Sequence, residues 1–255
     1  MEETNIITHF IAGYPDLKAS LATAKGLIDG GAAALEMQIP FSDPSADGPV
    51  IENASRKSLE AGFKVADGFN LVKLIHDYAD VPVYIMSYSA IVYNMGVDKF
   101  VQTAVEAGVK GLIIPDLTPG NDEGLYASGK AHGIDVVPVI IPAVSDERMS
   151  EIMAEKPEWA YLALRSGITG SYTKLDDENI GFLERLKKYD AKIMAGFGIR
   201  TPEQVEVLAP HCDAAVVGSY IVDSVTKLWN ETPFDYDAVK TVAEKSVRYL
   251  FTGRG

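Results

Sequence analysis

The sequence predicts an α/β protein, a single (β/α)8 barrel of the TIM type over residues 1–255. Three observations carry the prediction. Short apolar runs alternate with helical patterns from end to end, in eight strand–helix units without a linker or low-complexity tract. The length, with 47% hydrophobic residues, suits one large core. The residues with chemistry fall just after the apolar runs, and strand C-terminal ends are where α/β barrels keep their sites. A doubly wound open sheet alternates in the same way, but eight evenly spaced units favour closure.

Taken in order, strands are expected at 6–12, 33–39, 82–88, 111–115, 135–140, 159–164, 192–195 and 213–217. The second is an apolar run too short for a helix, and Pro40 stops it. Pro44, Gly48 and Pro49 then fix a tight loop that carries Asp43 and Asp47. Leu17, Leu21, Ala24 and Ile28 recur at helical spacing after the first strand, and Phe100, Ala104 and Val105 do so further on. Thr201-Pro-Glu-Gln204 starts a helix. Threonine caps it, proline takes the first turn where no amide is needed, and glutamine reaches back to the cap.

A net charge of −13 argues against a nucleic-acid partner, since no basic stripe offsets repulsion from phosphates. A phosphate on a small substrate must then be held by backbone amides more than by a positive field. Cys212 is the one cysteine, which excludes an internal disulfide and is compatible with a reducing compartment. No run of about 18 apolar residues predicts a membrane span. The start, Met-Glu-Glu-Thr-Asn, lacks the basic and apolar regions of a signal peptide. The protein is therefore expected to be soluble and cytoplasmic.

Glu36 stands in the middle of the second strand, where a carboxylate is costly unless it is paired, protonated or facing a cavity. Two readings are open. Glu36 and the loop acids form a site, or Glu36 is a satisfied core acid and Asp43 and Asp47 cap turns. The strand ends together collect Glu36, Asp43, Asp47, Tyr88, Asp116, Tyr161, Arg165, Thr169, Gly170, Gly198, Gly218 and Ser219. Gly196-Phe-Gly198 follows the seventh strand, and Gly218-Ser219 follows the eighth and opens a helical run. Either pair alone reads as turn glycine. At these two strand ends together they read as a phosphate site at a helix N-terminus. Lys110 and Lys192 lie at N-terminal strand ends, so no Schiff-base lysine is evident. His76, His132 and His211 fall in or after helical patterns on the far side, so no metal cluster is expected. Carboxylate acid–base chemistry on a phosphorylated substrate remains. The rings of Phe41, Tyr88, Tyr161 and Phe197 could surround an aromatic moiety, although such rings also serve as plain core.

Glu36 with Pro40-Phe-Ser-Asp-Pro-Ser-Ala-Asp-Gly-Pro49 resembles the signature of the tryptophan synthase alpha subunit family. Arg165-Ser-Gly-Ile-Thr-Gly170, Gly196-Phe-Gly-Ile199 and Gly218-Ser219 resemble its later motifs, in the same order. The resemblance runs from about Phe10 to about Val225. It implies a metal-free lyase that cleaves indole-3-glycerol phosphate to indole and glyceraldehyde 3-phosphate in tryptophan biosynthesis. Carried over, Glu36 is the acid–base residue, and Asp47 accepts the indole N–H. Tyr88 and Tyr161 line the site, and Phe197 packs on the indole. Thr169, Gly170, Gly198, Gly218 and Ser219 belong to the substrate and phosphate set, and 165–174 forms a lid.

The resemblance also implies a beta subunit as partner, in an alpha2beta2 complex, with Pro40, Phe41, Asp43 and Thr118 at or near the contact. No cofactor is expected in this chain; pyridoxal phosphate is expected only in the partner. Several residues depart from the family pattern. Met37-Gln38 replaces Leu-Gly, His9 stands where a pocket aromatic is usual, and Glu52 stands for Gln. Ala90 stands for Asn, and Thr118 for Pro. The short helix that covers the barrel bottom is expected to be missing. An alternative reading is a weakly active regulatory subunit that mainly activates its beta subunit.

Overall fold

The computed structural model describes residues 5–163, 177–196 and 198–252. Its strands are β1 (Asn5–Ile11), β2 (Ala34–Gln38), β3 (Val83–Met86), β4 (Gly111–Ile113), β5 (Asp135–Val137), β6 (Val139–Ile140), β7 (Trp159–Ala163), β8 (Lys192–Gly196) and β9 (Ala214–Val217). β1 is the first element among the described residues. All pair in parallel, in the order β5-β4-β3-β2-β1-β9-β8-β7-β6. The two ends of that order are consecutive in the chain, so the sheet curls into the expected (β/α)8 barrel. The expected strand 135–140 is two pieces because Pro138 has no N–H to give to the ladder. Its carbonyl still accepts from the Tyr161 amide at 2.9 Å.

The two-residue period of the strands sorts side chains to two faces. Outward-facing Ile6, Phe10, Leu35, Met37, Val83, Ile85, Leu112 and Leu162 join helix residues in the larger core. Inward-facing Ile7, Ala34, Tyr84, Met86, Ile113, Val137, Tyr161, Met194 and Val216 fill the barrel. Gly111 is where the interior needs space. A Cβ there would lie 2.8 Å from the Tyr84 ring, so the tyrosine takes the room its neighbour leaves. This apolar filling closes the lower barrel and leaves the polar inward residues at the C-terminal ends.

Helix Leu17–Asp29 forms where its periodicity predicts, but its buried face is Ala19, Ser20, Thr23, Ala24 and Leu27. Leu17 is 46% exposed. The face is small because this helix packs against the last helix, Tyr236–Thr252, so closely that Gly26 meets the Lys240 carbonyl. Helix Pro202–Leu208 starts as its sequence predicts. Gln204 Oε1 accepts from the amides of Arg200 (2.8 Å) and Thr201 (3.2 Å). Among the described residues no helix is long and apolar enough to cross a membrane.

Candidate active site

Two inward positions of neighbouring strands open the site. The β1–β2 register sets His9 beside Glu36. His9 Nδ1 lies 3.0 Å from Glu36 Oε1, a buried hydrogen-bonded pair with exposures of only 7% and 3%. Two residues further along the same face of β2, Gln38 Nε2 donates to Asp47 Oδ2 at 2.7 Å. Tyr88 O–H donates to the same oxygen at 3.1 Å and accepts from the Ala46 amide at 3.2 Å. The Phe41 ring stacks on Tyr88 with centroids 5.4 Å apart. One tyrosine, 41 residues from Asp47, thus pins the acidic loop over the barrel mouth.

Burial dominates the electrostatics. It pushes the Asp47 carboxyl up to about 6, against the His9 charge and the hydrogen bonds from Gln38 and Tyr88. For His9 burial works the other way, but the Glu36 charge and hydrogen bond, the Asp47 charge and the Gln38 side chain together outweigh it, and the imidazole titrates above its ordinary value. Burial, then the charges of Glu36 and Asp47, hold the Tyr161 phenol far above its usual range. Among the described residues Glu36 Oε2 has no hydrogen-bond partner, and His9 Nε2 and Gln38 Oε1 make none of ordinary geometry, although Gln38 is close enough to favour the charged imidazole. Leaving such atoms buried and unpaired costs roughly 1–3 kcal/mol each, a sign that a ligand completes them. His9, Glu36 and Asp47 share a cavity of about 50 Å³ with Tyr161, Gly198, Gly218 and Ser219.

The far wall of this cavity is the start of helix Ser219–Glu231. Ser219 is buried there, and Gly198 has the left-handed φ of +85°, which favours glycine. Gln204 Nε2 reaches the Gly198 carbonyl at 3.3 Å. Gly218 has a role the sequence did not suggest. A Cβ at this position would sit 3.1 Å from the His9 Cβ and 3.2 Å from its ring, so glycine here makes room for the histidine.

The structure therefore brings together Glu36, Asp47, Tyr161, Gly198, Gly218 and Ser219, with Tyr88 as the support of Asp47. Thr169, Gly170, Phe197 and the stretch 165–174 lie outside the described residues. Of the expected contact residues, Pro40 is buried, Phe41 is half-buried on Tyr88 and Asp43 is exposed. Thr118 is bound into its own turn, bridged to Asn121 and accepting from Arg148 Nη2 at 3.0 Å. Sequence reasoning noted His9 and Gln38 only as departures and gave them no partner. Gln38 shares the parity of Glu36, which puts it on the inner face. His9 is a polar residue in an apolar strand, and only the register reveals what it meets.

Comparison with known proteins agrees with this fold. The family model for the tryptophan synthase alpha chain matches residues 1–249. The tryptophan synthase alpha chain of Helicobacter hepaticus is 38% identical over 241 residues, covering 91% of this chain and 90% of that one. The alpha chain of Carboxydothermus hydrogenoformans is 35% identical over 224 residues, covering 88% and 84%. Tryptophan synthase of Mycobacterium tuberculosis has the same fold at TM-score 0.84 and 29% identity, covering 96% of this chain and 93% of that one. A chain of the Pyrococcus furiosus tryptophan synthase complex matches at TM-score 0.83 and 27% identity, with 97% and 99% covered. The barrel, the acids at its mouth and these relatives converge: the chain belongs to the tryptophan synthase alpha chain family, alpha-subunit enzymes of tryptophan biosynthesis.

Proposed function

We propose that this chain, one barrel domain over residues 1–255, cleaves indole-3-glycerol phosphate to indole and glyceraldehyde 3-phosphate. The observation that carries the reading is the unpartnered Glu36 Oε2 in a cavity that also holds Asp47. In a retro-aldol cleavage the indole ring carbon gains a proton, the glycerol hydroxyl loses one, and the carbon–carbon bonding pair returns to the ring. Glu36 is the group that gives and takes these protons. Asp47 accepts the indole N–H and offsets the positive charge that develops on the ring, a task it can perform only when ionised, above about pH 6. Ser219, with the backbone of Gly218 and Gly198, receives the phosphate at a helix N-terminus. Thr169, Gly170 and Phe197 complete the substrate set in this reading. The steps use no metal and no cofactor.

Ser219→Ala tests the phosphate end without disturbing His9, which Gly218→Val would displace. Loss of one hydrogen bond to a charged group is worth roughly 1.5–3 kcal/mol. The Michaelis constant is therefore expected to rise by about 10-fold or more, with turnover changed much less. Steady-state indole release measures both, and an unchanged Michaelis constant places the phosphate elsewhere.

The partner in this reading is a beta subunit, in an alpha2beta2 complex that meets the mouth of the barrel near Pro40, Phe41, Asp43 and Thr118. Any pyridoxal phosphate belongs to that subunit. Asp43 and its neighbour Ser42 are exposed. Ordering loop residues takes roughly 1–2 kcal/mol each, which a docked partner can offset. Saturating beta subunit is expected to accelerate cleavage by about 10-fold or more, ~1.4 kcal/mol off the barrier. Equal rates with and without it would sink the coupling.

One observation favours the alternative, a weakly active regulatory subunit. The Gln38 amide already occupies Asp47 Oδ2, an oxygen of the carboxylate that would receive the indole N–H. Negligible cleavage in the presence of beta subunit, together with activation of that subunit, would decide for this alternative.

A further inference from the structure

His9 is the one nitrogen base among the described residues that line the cavity, and the reaction as set out above does not use it. Its two ring nitrogens are in different situations. Nδ1 is committed to Glu36 Oε1 at 3.0 Å, whereas Nε2 is buried and makes no hydrogen bond of ordinary geometry among the described residues, with only the Gln38 side chain close to the ring. Glu36 mirrors this arrangement, with Oε1 paired and Oε2 unpartnered. An imidazole kept only as a structural counter-charge would be expected to satisfy its second nitrogen. Gly218, just after β9, lacks a Cβ at the point where one would press on the His9 ring, so the glycine leaves room to seat it.

We propose that His9 and Glu36 act as one acid–base dyad, in which His9 is a positioning residue that holds Oε1 and leaves Oε2 as the single carboxylate oxygen offered to substrate. This rests on the cleavage reading. The protons balance within the dyad. The one taken from the glycerol hydroxyl and the one given to the ring carbon both pass through Oε2, while the imidazole proton stays on the Oε1 side.

The groups that face His9 set the sign of its pH dependence. Glu36 and Gln38 face it from β2 and Asp47 from the loop that follows; on the β9 side Gly218 and Ser219 carry no charge, and Tyr161 on β7 stays neutral. Burial opposes a charged imidazole, and the two carboxylates with Gln38 together favour it more strongly. His9 thus keeps its proton to higher pH than an ordinary imidazole and becomes neutral once the pH rises past its elevated midpoint. Turnover should fall on that alkaline side.

Four histidines make the test direct. Imidazole titrations of the full chain are followed by NMR in the wild type and in Glu36→Gln, with His9→Phe assigning the His9 signal. The His9 midpoint is expected above the ordinary value, and lower by at least about one pH unit once Glu36 is neutral. His76, His132 and His211 should hold still. In pH profiles of indole release, His9→Phe should lose about 10-fold or more in turnover, with the Michaelis constant within about 3-fold, and should lose the alkaline limb. His9→Gln keeps a donor for Oε1 without a titration. It should recover part of the turnover with a flat alkaline profile, and it covers the case in which the phenylalanine variant does not fold. A His9 midpoint unmoved by Glu36→Gln, or an alkaline limb that persists in both His9 variants, overturns the dyad alone. A wild-type chain that releases no indole overturns the cleavage reading and the dyad's task together.

Discussion

Glu36→Gln is expected to lower indole release by at least about 10²-fold, the usual worth of a positioned acid–base group. The amide has the shape of the carboxylate and still offers an oxygen to His9, so the barrel and its phosphate end should survive the change. The effect should therefore appear in turnover, with affinity for inorganic phosphate or glycerol phosphate retained. Glu36 is 3% exposed, and its Oε2 makes no hydrogen bond among the described residues. No second carboxylate can simply take over, because Asp47 is held by Gln38 and Tyr88. A variant that turns over at near wild-type rate would remove Glu36 from the reaction. It would also return the residue to the reading of a satisfied core acid, with His9 as its counter-charge.

Asp47→Asn should lose activity and gain stability. The activity arm follows from charge. An amide cannot offset the positive ring, and loss of one such stabilising group is worth about 10²-fold. The stability arm follows from linkage. Burial raises the folded carboxyl from its ordinary 3.8 to about 6. A carboxyl raised in this way favours the folded state fully below 3.8, and the advantage is lost as the pH climbs through about 6. At pH 7.5 the wild type carries the whole penalty of a buried charge, up to about 3 kcal/mol. The asparagine carries none and still accepts from Gln38 and Tyr88. Urea unfolding at pH 7.5 should show the variant as the more stable, and the gap should close as the pH is lowered from about 6 toward 4. A variant less stable at pH 7.5 would show that the ionised carboxylate holds the loop better than it burdens it.

The elements themselves were legible because their signals are local. A two-residue alternation marks a strand and a 3.6-residue recurrence marks a helix wherever the chain later goes. Proline and glycine likewise carry their backbone limits with them, which is why the loop after β2 and the start of helix Pro202–Leu208 could be read directly. Glu36 announced itself as an acid inside an apolar run. Asp47 did so as an acid held by prolines.

Even among local features, context overrode two expectations. Pro138 divided a strand that its apolar residues made continuous, because the ladder needs an amide that proline lacks. Helix Leu17–Asp29 turned its small residues inward because the last helix, far along the chain, packs against it.

Partnership is the part that spacing cannot encode. His9 and Glu36 are 27 residues apart, and Tyr88 and Asp47 are 41 apart. Nothing in either interval distinguishes a contact from a miss. The β1–β2 register decides that His9 meets Glu36 and not the side chain one position on, which points to the opposite face. Closure of the barrel then brings Gly218 against that histidine and Ser219 into the same cavity. The residue types therefore told of carboxylate chemistry and a phosphate. Which acid carries the raised pKa, and which is paired with a base, was decided by burial and neighbours, quantities that exist only once the strands have closed on one another.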